Sequence, residues 1–146
     1  MITREIIEQR LARPLSFYPH LSIEFQDDSS FITLMDNLNP NTQGNYTGGD
    51  MAYIANAAAV IQCAAEGLFV QSASINVECI ANGEADILVA KCQLIHKGKK
   101  LIRARSDVYA RKNGVDTLVA IGQINVALMS DQAKAKKVIN KEEVEA

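Results

Sequence analysis

A surplus of positive charge is missing from this chain: 15 Lys and Arg stand against 17 Asp and Glu, for a formal charge of −2. No broad basic field exists to neutralise phosphates, so a nucleic-acid partner is not expected. Long apolar runs are missing too. No stretch approaches roughly 18 apolar residues without a polar break, which excludes a helical membrane span and a membrane partner. The opening MITREIIEQRLARP interleaves charges with isoleucines and has no apolar core followed by a small-residue cleavage site. It does not read as a signal peptide, and a cytoplasmic location is expected. Cysteines number 3 and histidines 2. An odd thiol count with no CxxC, and with His20 and His96 far from each other and from any cysteine pair, argues for buried reduced Cys63, Cys79 and Cys92 and for no metal site. Without secretion, the glycosylation sequon Asn45-Tyr46-Thr47 is a chance match.

What is present describes one globular unit. A chain of 146 residues, 48% apolar and 22% charged, holds a single continuous core and leaves no room for a second domain, so residues 1–146 are read as one domain. Ile2, Ile6, Ile7 and Leu11 fall at helical spacing before Pro14, which predicts an amphipathic helix within residues 1–13. Leu21, Ile23 and Phe25 alternate with polar residues, Asp27 to Ser30 reads as a turn, and Phe31 to Met35 is a second extended run. Together they predict a hairpin. Asp36 to Gly49, DNLNPNTQGNYTGG, is a shaped loop.

From Asp50 to about Glu66 the chain is apolar on nearly every side of the helical wheel, and Gly67 supplies a stop. Such a helix has to be surrounded. Extended runs follow at Phe69–Ile80, Ile87–His96, Leu101–Arg111 and Thr117–Met129, with Asn82-Gly83, Gly98 and Asn113-Gly114 as joints suited to tight hairpins. They predict a four-stranded antiparallel meander, long enough to curve around the helix. Residues 130–146 form a charged tail. The resulting α+β arrangement is a sheet wrapped around one long central helix, with a second copy pairing at a sheet edge to cover what remains.

That element order, together with NTQGNYTGGDMAYIAN at residues 41–56, resembles the hotdog-fold superfamily and, within it, the PaaI-like acyl-CoA thioesterases. In that family an asparagine precedes the central helix, His-Gly-Gly opens it, and a catalytic Asp or Glu follows seven residues after the second glycine. Asn41, Gly48 and Gly49 match. Thr47 stands at the histidine position, and Asn56 stands where the family keeps its carboxylate. The resemblance implies an acyl-CoA thioesterase-like protein acting as a homodimer or homotetramer. It takes an acyl-CoA or other acyl thioester in a groove between subunits, with coenzyme A as part of the substrate and no separate cofactor.

Independently of the family, backbone N–H groups at a helix start, approached closely because glycine lacks Cβ, can polarise a thioester carbonyl. Gly48 and Gly49 suit that task, and they equally suit a helix-entry turn of unusual backbone conformation. Asn56 is either an aligner of a carbonyl or water, or a polar residue satisfied across a dimer interface; its amide is no base. Asp50 in the first turn reads best as a charge at the positive end of the helix dipole, with substitution for the missing base as the alternative. Asp36 is a weaker candidate of that kind. Ser74 matches a serine that some family members contribute from a partner subunit to hold the attacking water, and Ser72 shares its strand face by alternation. Ordinary strand hydroxyls are the alternative.

Lys97, Lys99, Lys100, Arg103, Arg105, Arg111 and Lys112 gather positive charge in a chain that is otherwise acidic. Arg103 and Arg105 share one strand face, opposite Ile102, Ala104 and Ser106. They read either as a grip on the phosphates of coenzyme A or as a solvated face. Two functions therefore stand: a hydrolysing thioesterase, and a non-catalytic acyl-CoA-binding protein that has lost the carboxylate. A hotdog dehydratase is disfavoured, because neither histidine sits in the Asp and His loop such enzymes use.

Overall fold

Chain direction reverses first between β1 (Leu21–Phe25) and β2 (Phe31–Met35), paired antiparallel with Leu21 opposite Met35 and Phe25 opposite Phe31. The turn is held by Asp27, whose Oδ1 accepts from the amides of Ser29 and Ser30, each at 2.8 Å. Those bonds, led by the one from Ser29, hold its carboxyl below the usual range. This computed structural model describes residues 1–36, 46–81 and 83–129. Asn41 and the tail 130–146 lie outside the described residues.

The N-terminal helix is α1 (Arg4–Leu11), capped by Thr3, whose hydroxyl accepts from Ile6 N. It buries Ile7 and Leu11 against Ile61, Ala64 and Ala65, across one end of the fold. A 3-10 turn at Leu15–Phe17 then leads into the hairpin. Arg10 of α1 donates Nη1 to the carbonyls of Ala65 and Ala64, at 2.6 and 3.3 Å. It thus satisfies carbonyls that a helix end leaves without partners.

The central helix α2 spans Gly48–Ala65 and ends at Gly67, whose φ of +82° makes the stop expected from the sequence. It lies against one six-stranded sheet of order β1-β2-β4-β5-β6-β3, in which β3 is Val70–Cys79, β4 Ile87–Lys97, β5 Leu101–Lys112 and β6 Val115–Leu128. Asn113 (φ 51°) and Gly114 (φ 77°) make the β5–β6 hairpin with the expected chemistry. The meander is shorter than predicted. Only β4, β5 and β6 follow one another; β3 pairs with β6 at the far edge, so no hairpin joins β3 to β4 at Asn82-Gly83. The physical reason lies in composition. Gln71, Ser72, Ser74, Asn76 and Glu78 suit a strand open to water along one side, whereas β4 brings buried Leu88, Val89 and Ala90 to the centre.

Alanines let the helix approach closely. Ala55 is fully buried, its carbonyl accepts from the buried Ser106 hydroxyl at 2.8 Å, and a Cβ built on Gly122 would lie 2.9 Å from Ala55 Cβ. At this crossing, residues larger than Ala and Gly would force α2 off the sheet. The inward faces of β5 and β6 complete the core with Ile102, Ala104, Val108, Ile124 and Val126. Arg103 and Arg105 face the other way, as the alternation predicted. The sheet covers one side of α2 and leaves a stripe of Gly49, Tyr53, Asn56 and Val60 wholly or partly open.

Candidate functional site

Thr47 precedes the first turn of α2 as its N-cap. Its hydroxyl accepts from Asp50 N at 3.1 Å, and its own amide donates to Asp50 Oδ2 at 3.3 Å, a reciprocal capping box. Asp50 is only 4% exposed. Its carboxylate thus serves the helix entrance, in agreement with the dipole reading of that residue.

The two glycines occupy the first two helical positions, are exposed, and have amides with no hydrogen-bond partner among the described residues. Neither has positive φ. A Cβ on Gly48 would meet nothing closer than Cys79 Sγ at 3.7 Å, and one on Gly49 nothing closer than Thr47 Oγ1 at 3.7 Å. The alternative that these glycines serve an unusual backbone turn is therefore corrected: neither conformation nor packing against the described residues calls for glycine here.

Asn56, about 10 Å further along the axis from Gly49 at 1.5 Å per residue, is half-buried. Its Oδ1 accepts from the Ser72 hydroxyl at 2.6 Å. Its oxygen is thus satisfied inside the chain. The expectation that Ser72 and Ser74 share a face is corrected by a β-bulge: Ser72 stands opposite Val126 and Ser74 opposite Asn125, so Ala73 is extra and the faces swap. Ser72 turns to α2. Ser74 lies on the outer face, where its hydroxyl accepts from Asn125 Nδ2 at 2.9 Å and Asn125 Oδ1 accepts from Arg103 Nε at 3.3 Å. Arg105 sits one row away with its Nε 2.9 Å from Asp107 Oδ1. Within one chain, Ser74, Arg103 and Arg105 are thus on the opposite side of the sheet from the α2 entrance. Asp36 is exposed, 3.5 Å from His20 Nδ1.

Two residues at the entrance carried no signal in the sequence. Cys79 was expected to be buried, but it lies exposed on an edge strand, and its thiol borders Gly48. Tyr46 is buried, donates its hydroxyl to the Ala81 carbonyl at 3.0 Å, and has its phenol pushed above the usual range chiefly by burial. Cys79 becomes a neighbour of α2 through the placement of β3 at the sheet edge, and Tyr46, next in sequence to the Thr47 cap, is tied to the chain just past β3 by its bond to Ala81. Cys63 and Cys92 do face inward, and burial pushes their thiols up to about 11 and about 12. One turn of α2 beyond Asn56, a cavity of about 190 Å³ opens between Leu11, Tyr18, Val60, Ala64, Leu68 and Val70. Nowhere among the described residues do three or more His, Cys, Asp or Glu side chains converge, and no described helix is long and apolar enough to cross a membrane.

The arrangement offers hydrogen-bond donors and no base at position 56. It can polarise a carbonyl oxygen; among the described residues the hydrogen-bond partner of Asn56 is the Ser72 hydroxyl and not a carboxylate or imidazole that would activate water. Comparison with solved structures places the architecture. A thioesterase family protein from Silicibacter pomeroyi superposes with a TM-score of 0.70 at 13% identity, covering 84% of this chain and 98% of that one. A hypothetical thioesterase from Streptococcus pneumoniae, solved with coenzyme A, gives 0.63 at 18% identity over 75% and 85%. A Bacillus halodurans protein solved with CoA gives 0.61 at 22% identity over 73% and 71%. No family model matches the sequence, and no curated protein matches it. The chain has the hotdog fold of thioesterase-superfamily structures.

Proposed function

We propose that this protein binds an acyl thioester, an acyl-CoA in the first instance, with the thioester carbonyl at the entrance of α2. The observation that carries the reading is the pair Gly48 and Gly49: two exposed helix-start amides without partners among the described residues, on residues whose lack of a side chain serves nothing among those residues. An approaching oxygen gives that lack a use. Coenzyme A bound in structures of the same fold supports the choice of ligand.

The groove is completed by a second copy. One carbonyl oxygen making two hydrogen bonds of about 3 Å spans about 6 Å, less than the axial separation of about 10 Å between Gly49 and Asn56 of one helix. A single carbonyl oxygen bonded to both kinds of donor therefore takes them from two chains. β3 is the edge that would meet the second copy: among the described residues its outer side pairs with no strand, Ile75 on it is 49% exposed, and Ile80 just past its end is 54% exposed. In such an assembly Arg103 and Arg105 are candidates to hold the CoA phosphates of a ligand seated on the other chain.

Of the two functions, binding with little hydrolysis is favoured over efficient hydrolysis, because Asn56 meets Ser72 where a general base or nucleophile is needed. A screen of short, long and aromatic acyl-CoAs, reading binding by calorimetry and hydrolysis by free CoA, tests both. Binding without CoA release above an Asn56→Ala control is the expected result. Rapid release in the wild type refutes the non-catalytic reading, and absence of all binding refutes the ligand.

A further inference from the structure

Ser72 owes its inward aim to the bulge at Ala73. In an unbroken strand, period two would put Ser72 and Ser74 on the same face; with one extra residue, Ser72 sits opposite buried Val126 and faces α2. Its hydroxyl proton goes to Asn56 Oδ1 at 2.6 Å. A carboxamide has two unlike ends, an oxygen that accepts and an NH₂ that donates. Occupying Oδ1 fixes the rotation of the amide and leaves Nδ2 as the end without a partner among the described residues. Among those residues no buried side-chain nitrogen or oxygen lacks a hydrogen bond, so Nδ2 looks onto the open stripe of α2 and not into the core.

We infer that Ser72 is a positioning residue: it turns Asn56 into a hydrogen-bond donor to the carbonyl oxygen of the bound acyl thioester. This rests on the acyl-thioester reading above and adds to it a requirement on the ligand, an acceptor oxygen on the carbon bonded to sulfur. Asn56 is then a working part of the site in its own right and not only the remnant of a lost acid. A bulge beside a ligand groove is a common device for re-aiming one side chain without moving the strand.

The test compares hexanoyl-CoA with hexyl-CoA, a thioether that lacks only the carbonyl oxygen. Titration calorimetry is run on the full chain as wild type, Asn56→Ala, Ser72→Ala and Ser72→Thr. The ratio of the two dissociation constants isolates the carbonyl. Asn56→Ala is expected to shrink the thioester preference by about 2- to 10-fold, the span of one neutral hydrogen bond. Ser72→Ala should shrink it in the same direction, Ser72→Thr should restore it, and thioether affinity should stay level in all four proteins. An unchanged ratio in Asn56→Ala or Ser72→Ala overturns the inference, as does a failure of threonine to restore what alanine removes. Wild-type protein that prefers the thioester, with the preference unchanged in Asn56→Ala, overturns the inference alone, whereas wild type that binds both ligands without preference also overturns the placement of the carbonyl at the α2 entrance. Wild-type protein that binds neither overturns the acyl-thioester reading with it.

Discussion

Replacing Asn56 with aspartate returns a carboxylate to the one position where water activation is lacking. The fold should accept it: Asn and Asp have similar helix propensities, and the Ser72 hydroxyl, 2.6 Å from Oδ1, already sits at the distance of a short O–H···O⁻ bond. A hydrogen bond to a charged partner contributes about 1.5–3 kcal/mol, against about 0.5–1.5 for a neutral one, which offsets part of the cost of charging a half-buried site. A positioned general base typically contributes about 10²- to 10⁴-fold. Hydrolysis of a bound acyl-CoA is therefore expected to rise at least about 10²-fold, or about 2.7 kcal/mol in barrier. The gain should be lost at acid pH as the new carboxyl protonates, with burial raising and the Ser72 bond lowering the pH at which that happens. The assay is free-thiol release with a chromogenic disulfide, after subtraction of the protein's own thiol. A variant that melts like the wild type and is saturated with acyl-CoA yet gains less than about tenfold would refute the assignment of position 56 to the reacting carbonyl.

The remaining expectations are simpler. A Cβ at Gly48 clears its described neighbours; Gly48→Val should fold, yet weaken acyl-CoA binding about tenfold or more by blocking the carbonyl, and unchanged affinity in a folded variant removes Gly48 from the site. Gly122→Ala places a Cβ 2.9 Å from Ala55 Cβ and should cost ~1–3 kcal/mol in a denaturant melt. The control is Gly83→Ala, which meets nothing within 4 Å; equal midpoints for the two variants contradict the close helix–sheet crossing. At pH 8 only Cys79 should react quickly with a thiol reagent. Cys63 and Cys92 stay protonated there with thiols raised to about 11 and about 12, and peptide mapping that finds either of them labelled first contradicts their burial.

Asn113-Gly114 shows why local structure could be read directly: two adjacent residues supply the positive φ that their own turn needs. The entrance of α2 was legible only in part: Asp50 was read as a charge of the first turn, whereas the helix begins at Gly48 and Thr47 is its cap. The roles of Gly48 and Gly49 were less so. Their type fits both an odd backbone and a close approach, and only the absence of positive φ and the open space around each excludes the first.

By itself the sequence determined that a long alanine-rich helix must be buried, that extended strands must cover it, and where most of the turns between them fall. Those are properties of neighbours in the chain, carried by spacing and residue type. The placement of β3 beside β6, the bulge that parts Ser72 from Ser74, and the meeting of Asn56 with Ser72 and of Gly48 with Cys79 were decided by the tertiary structure alone. Strand order is a competition among all strands for the covered middle of the sheet, and a bulge shows itself only against a partner strand. Neither is a property that any one segment carries on its own.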